Sequence, residues 1–204
     1  MKKIVSMLLA VVFMFSLGTT ALAAETFPDI IVCDNGDTII DDGKDIYRLT
    51  VYEDDVERSV TIKNESNGDE NTITYNKLKN TIYSSITGNT TTLDLIKGSN
   101  ISTFSESSYK THYLSYSDIR TAVGDTATVA GLIGFIMAAI PGADVVGGAL
   151  SGLATIVGAG NLAVPNDPNH GLAVQVKTIK YYRVRNGHRG VYKVQHVITD
   201  ISTY

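Results

Sequence analysis

The stretch from Thr126 to Pro165, TATVAGLIGFIMAAIPGADVVGGALSGLATIVGAGNLAVP, constrains this chain more than any other. Asp144 is its only charged residue. So long an apolar run has to leave water, either inside a protein core or in lipid. Pro141 and Gly142 divide it into two arms, Thr126–Ile140 and Val145–Val164, because proline and glycine stop a helix and reverse the chain. As helices the arms would be roughly 22 and 30 Å long, near the ~30 Å hydrocarbon thickness of a bilayer. The run therefore predicts a helical hairpin turning at Pro141 and Gly142. Two readings stand open: a buried core, or a device for entering membranes.

Small residues recur along both arms at helical spacing. Ala127 and Gly131 stand four apart, as do Gly134 and Ala138. On the second arm Gly148 and Gly152 do the same, and Ala159 continues a row through Gly147, Ser151 and Thr155. Residues four apart share a helix face, and small ones let two backbones approach closely. The expected contact between the arms is therefore Ala127, Gly131, Gly134 and Ala138 against Gly148, Gly152 and Ala159. Each interior glycine costs about 1 kcal/mol against alanine. The hairpin thus needs support from whatever it packs on.

The N-terminus reads as an export signal. Met1-Lys2-Lys3 is basic, Ile4–Leu17 is apolar, and Ala21-Leu22-Ala23 is a small-x-small cleavage site. Removal of residues 1–23, with cleavage after Ala23, predicts a secreted, extracellular protein. The single cysteine, Cys33, allows no internal disulfide.

Charge is distributed unevenly along the mature chain. Residues 24–117 hold 16 acidic and 8 basic residues, whereas 166–204 hold 2 acidic and 6 basic. The acidic region alternates polar and apolar residues in IYRLTVYE (Ile46–Glu53) and VERSVTIK (Val56–Lys63). Shorter runs lie at Ile30–Val32, Asn71–Tyr75 and Asn80–Ile86. Period-two alternation broken by Asp, Asn and Gly predicts an antiparallel meander with one wet face. Ser117 before Asp118 suits the N-cap of a helix running through Ile119, Ala122, Val123 and Thr126.

In the basic tail, Leu172–Arg185 and Val191–Ser202 flank Asn186-Gly187, a strong hairpin signal. Alternation puts Lys177, Arg183 and Arg185 on one face, and Arg189 and Lys193 come from the partner strand. A basic, tyrosine-bearing ribbon suits an anionic surface. A solvated face that balances the acidic half is the alternative. Export argues against nucleic acid as a partner.

The four histidines are scattered, and no HExxH, GxSxG, phosphate-binding loop or dinucleotide fingerprint occurs. The sequence therefore predicts no catalytic residue, no metal site and no cofactor, and the protein reads as a non-enzyme.

The run TVAGLIGFIMAAIPGADVVGGALSGLATIVGAG, the IYRLTVYE/VERSVTIK pair, Met1–Ala23 and the end KTIKYYRVRNGHRGVYKV together resemble the geobacillin-like group of small secreted bacteriocin-like proteins of Gram-positive bacteria. The resemblance implies a ribosomally made antimicrobial or membrane-perturbing protein without a cofactor. The expected fold is α+β: an antiparallel β-meander, a central apolar Gly/Ala-rich helical hairpin and a C-terminal β-hairpin. The expected regions are 1–23 (signal peptide), 24–117 (acidic, β-rich), 118–165 (apolar hairpin) and 166–204 (basic β-hairpin). The expected function is attack on target-cell membranes through the apolar hairpin, with anionic lipid as partner and oligomers on the membrane allowed. The alternative is a soluble secreted binding or interaction module whose hairpin is its buried core.

Overall fold

A computed structural model describes residues 29–33, 36–93, 96–97, 107–140, 142–145, 153, 162–185 and 188–204. The structure is mostly β, with 58% strand and 14% helix, which corrects the α+β expectation.

Residues 29–92 form a seven-stranded antiparallel meander, and the rest of the acidic region contributes strands to a second sheet. Strands β1 (Asp29–Val32), β2 (Thr38–Asp41), β3 (Ile46–Glu53), β4 (Glu57–Asn64), β5 (Glu70–Asn76), β6 (Thr81–Ser84) and β7 (Thr90–Thr92) pair antiparallel in sequence order. Its turns are fixed by side chains that copy backbone bonds. Asp54 Oδ1 accepts the amides of Val56 and Glu57, both at 2.8 Å, between β3 and β4. Asn64 Oδ1 accepts the Ser66 amide after β4, and Asn76 Oδ1 that of Lys79 after β5. Strand β4 shows why the register holds: Arg58, Val60, Ile62 and Asn64 are buried, and the residues between them are half-buried. A slip by one residue would reverse the two faces.

The remaining elements are β8 (Ile96–Lys97), β9 (Ser107–Ser115), α1 (Tyr116–Val123), β10 (Thr126–Ala127), α2 (Val129–Ala139), β11 (Ala143–Val145), β12 (Leu162–Ala163), β13 (Gly171–Arg185) and β14 (His188–Thr203). A second sheet has the order β11-β14-β13-β9-β8, with β11 parallel to β14 and the other pairs antiparallel. Strands β10 and β12 pair by themselves. Helix α1 is capped by Ser115, not by Ser117: the Ser115 hydroxyl accepts the Asp118 amide at 3.1 Å and donates to its carboxylate at 2.8 Å. The helix ends at Gly124, with φ +92°, before it can reach Thr126.

The central helical hairpin does not form. Only Val129–Ala139 of the first arm is helical, and Thr128 caps it by accepting the Gly131 amide at 3.0 Å. Thr126 and Ala127 are strand residues paired with Ala163 and Leu162. Beyond Gly142 the chain enters a strand, Ala143–Val145, beside His196–Ile198. Of the second arm, Leu153 is helical and fully buried. Pro141, Gly148, Gly152 and Ala159 lie outside the described residues.

The physical reason is the absence of a polar face. All eleven residues of α2 are buried, as an evenly apolar helix requires. The meander packs against α2. A Cβ on Gly134 would lie 2.5 Å from Ile62 Cδ1 and 3.0 Å from its Cγ1, so this glycine lets α2 sit directly on β4. Gly131 faces Thr128 and Val123, and Ala138 is fully buried. Arg58, only 3% exposed, secures the far end of the helix by donating to the Met137 carbonyl at 2.7 Å. It also pairs with Glu53, which holds Lys77 at 2.8 Å and accepts the Gly142 amide. Among the described residues, no helix is long and apolar enough to cross a membrane.

One apolar cluster joins Ile40, Leu49, Val60 and Ile73 of the meander, both helices, and Leu114, Leu172, Val174, Val176, Ile198 and Ile201 of the second sheet.

Candidate functional site: a cationic β-ribbon

Strands β13 and β14 are the longest among the described residues, at 15 and 16 residues. Their lower half is flanked. Strand β9 pairs with β13 from Gly171 to Ile179, and β11 pairs with β14 from His196 to Ile198. Past those points neither strand has a further partner among the described residues. Lys180–Arg185 and His188–Val194 therefore continue as a two-stranded arm, about 20 Å long at strand rise. Every described residue of the arm is exposed.

A ribbon in water usually carries polar residues on both faces, and this one does not. Five of its residues are cationic, Lys180, Arg183, Arg185, Arg189 and Lys193, and none of its described residues is acidic. Six others are large and apolar or aromatic. Val184 is 67% exposed, Tyr192 62%, Val191 48% and Val194 47%, with Tyr181 and Tyr182 each at 37%.

The register assigns these residues to faces. Tyr182 and Val184 lie on the face that lower down carries Leu172, Val174 and Val176, and Val191 and Val194 stand opposite on β14. The core-facing side of the ribbon thus runs on past the core, where Tyr182, Val184, Val191 and Val194 stand in the open beside Lys180 and Arg189. Tyr181, Arg183 and Arg185 occupy the other face, with Lys193, Gly190 and His188 as their respective partners. A bulge at Tyr181/Tyr182 leaves Tyr192 without a partner in the register and brings its ring within 6.4 Å of the Tyr181 ring. The cations lie over aromatic rings: Arg189 is 4.2 Å from the Tyr182 centroid and Lys193 is 5.7 Å from that of Tyr181. Such stacking holds a long side chain extended without removing its charge from water.

The structure brings four of the five predicted contact residues together on the arm: Arg183, Arg185, Arg189 and Lys193. It separates them by face, since Arg189 stands opposite Val184 on the apolar side. Lys177 is left behind. It sits on the flanked base, half-buried, 5.6 Å from the Tyr109 ring centroid. Sequence reasoning does not single out Lys180 or the exposed valines. The available signal is the alternation of Val174 and Val176 continuing through Tyr182 and Val184, but its exposure depends on where β9 and β11 stop.

Among the described residues, no three His, Cys, Asp or Glu side chains are grouped so as to hold a metal ion. Searches found no family model, no curated protein and no solved structure that matches the chain.

Proposed function

We propose that this is an exported protein that attaches to anionic membrane surfaces through the β13–β14 arm. The resemblance to geobacillin-like proteins suggests that attachment serves antagonism of other cells. One observation carries the reading: an exposed arm with five cations, no described acid and an uncovered apolar face. Cations near an anionic leaflet contribute about 1 kcal/mol each. Tyrosine rings and valines suit the boundary between headgroups and acyl chains, where one end of a side chain is wet and the other dry. The arm needs no refolding to make this contact. The reading includes no catalytic step, no cofactor and no nucleic acid.

The test is sedimentation of the purified protein with vesicles of phosphatidylglycerol and phosphatidylcholine, against phosphatidylcholine alone. Binding is expected only to the anionic vesicles and should weaken with salt. Arg183→Gln combined with Arg185→Gln should lose about 2 kcal/mol, roughly a 30-fold drop in affinity. Equal binding to both vesicles, or binding indifferent to this pair, refutes the reading. The alternative of a soluble interaction module is favoured by the complete burial of α2. Failure to bind either vesicle would support that alternative.

A further inference from the structure

The meander and the link between the helices enclose a cleft of about 340 Å³ that shares no residue with the ribbon. This is the small end of the roughly 300–1,000 Å³ typical of ligand pockets. Its floor is apolar, with Ile62 and Val123 buried there. Its walls are polar and come from three places. Asp45 and Tyr47 stand at the start of β3, Asp69 and Asn71 at the β4–β5 turn, and Thr126 on the helix link.

The walls are preorganised. Asn64 Oδ1 accepts the Ser66 amide at 2.8 Å, and Asn67 holds Asp69 twice: its Oδ1 accepts the Asp69 amide at 2.9 Å, and its Nδ2 donates to the carboxylate at 2.7 Å. Burial first, then the charges of Asp42 and Asp45, push the Tyr47 phenol above its ordinary value, so it stays a neutral hydroxyl beside Asp45.

The lining also selects a chemistry. Among the described residues, no lysine or arginine lines the cleft, and two carboxylates do. Phosphates, sulfates and acidic sugars are therefore repelled. Carboxylates accept hydrogen bonds from hydroxyl and ammonium groups, and the Asn71 amide can both donate and accept. A purely apolar ligand would strip water from these walls and return nothing. A ring with an apolar face and a rim of hydroxyl or amine groups fits this lining. We propose that this cleft binds a neutral or amine-bearing saccharide unit, with Tyr47 and Ile62 against its C–H face and Asp45, Asp69 and Asn71 on its hydroxyl or amine groups. The site goes beyond the ribbon's role and does not depend on it.

The purified protein would be titrated, by calorimetry and saturation-transfer NMR, with glucose, N-acetylglucosamine and glucosamine, and with glucuronate and glucose 6-phosphate as anionic counterparts. Saturable binding is expected for at least one of the first three and for neither anion. Asp69→Asn should weaken that binding tenfold or more. Thr126→Tyr, placed at an exposed position on the rim, should abolish it while thermal unfolding stays cooperative. The Arg183→Gln/Arg185→Gln protein should bind the sugar as before, which separates this site from the ribbon. Three results would each overturn the proposal: no saturable binding of any of the three up to about 10 mM, well above the millimolar scale of weak sites; anionic sugars bound as well as neutral ones; or binding that survives Thr126→Tyr.

Discussion

Packing of α2 on the meander can be tested at a single contact, between Gly134 and Ile62. A methyl group on Gly134 would stand 2.5 Å from Ile62 Cδ1, 3.0 Å from Cγ1 and 3.8 Å from Val60 Cγ1. Carbon atoms in contact sit at about 3.5–4.0 Å, so the first overlap is about 1 Å and the third contact is ordinary. Gly134→Ala gains up to about 1 kcal/mol of helix propensity and loses about 1–3 kcal/mol to overpacking, for a net loss near 1 kcal/mol. Ile62→Val alone costs roughly 1 kcal/mol. It also removes the Cδ1 atom that makes the clash. In that background Gly134→Ala should be neutral or mildly stabilising, because the remaining approach at Cγ1 needs a shift of only a few tenths of an ångström. The double mutant should then lose roughly 0.5 kcal/mol instead of the ~2 kcal/mol of simple addition, a coupling near 1.5 kcal/mol. Urea unfolding of the four proteins, followed by circular dichroism with m values compared, measures it. Distant sites add within about 0.3–0.5 kcal/mol. A coupling no larger than that would mean Gly134 does not touch Ile62, and α2 would have to be placed elsewhere.

Arg58→Ala should cost about 3 kcal/mol in the same assay, the low end for breaking a buried pair, because Glu53 keeps Lys77 and partial contact with solvent. A loss below about 1 kcal/mol would remove Arg58 as the clamp on α2. The His112 side chain gives a pH signature: burial, then the charges of Lys110 and His196, lower its pKa from 6.5 to about 4. The unfolded chain therefore takes up this proton first, so the contribution is present above pH 6.5 and is lost as pH falls towards 4. Allowing for its partial exposure to solvent, the loss is about 1–2 kcal/mol. His112→Gln should flatten stability between pH 6.5 and 4, and an unchanged profile would refute the assignment.

Period-two alternation is legible wherever a strand has one buried face. The alternating run Ile46–Glu53 has the bounds of β3, and Val56–Lys63 lies one residue from β4. Strand β2 is not legible because Thr38–Asp41 is only four residues long and sits between two Asp/Gly-rich turns. The apolar run misleads for a different reason. An amphipathic helix declares where its partner is, but α2 has no polar face and declares only that it is buried. Gly134 is recognisable as a point of close approach, and the side chains it approaches are Ile62 and Val60 of β4. Small-residue spacing shows that something comes near without showing what. In the tail, four of the arm's five cations, Arg183, Arg185, Arg189 and Lys193, can be named from the sequence. Their presentation on a free arm cannot, because it depends on the lengths of β9 and β11.

That presentation decides which part of the molecule can meet a membrane at low cost. Sending α2 into lipid would rebury Leu132, Ile133, Phe135 and Ile136 in a new apolar medium, so the helix itself would lose little. The loss falls on what it leaves. Leu49, Val60, Ile62 and Ile73, buried in the meander, would face water, at roughly 1.5–3 kcal/mol for each large side chain exposed. Four such side chains approach the 5–15 kcal/mol that holds a typical domain folded. The Met137 carbonyl would also lose the hydrogen bond from Arg58. Insertion of α2 is thus close to unfolding the meander. The β13–β14 arm carries no such penalty, since Tyr182, Val184, Val191 and Val194 are already exposed. Apolar surface that is already in water gains on contact with lipid, whereas apolar surface taken from the core must first be lost there. The same reasoning ranks any membrane-active β protein: the element to test first is the apolar face that the fold leaves uncovered, and the most hydrophobic stretch of the sequence comes second.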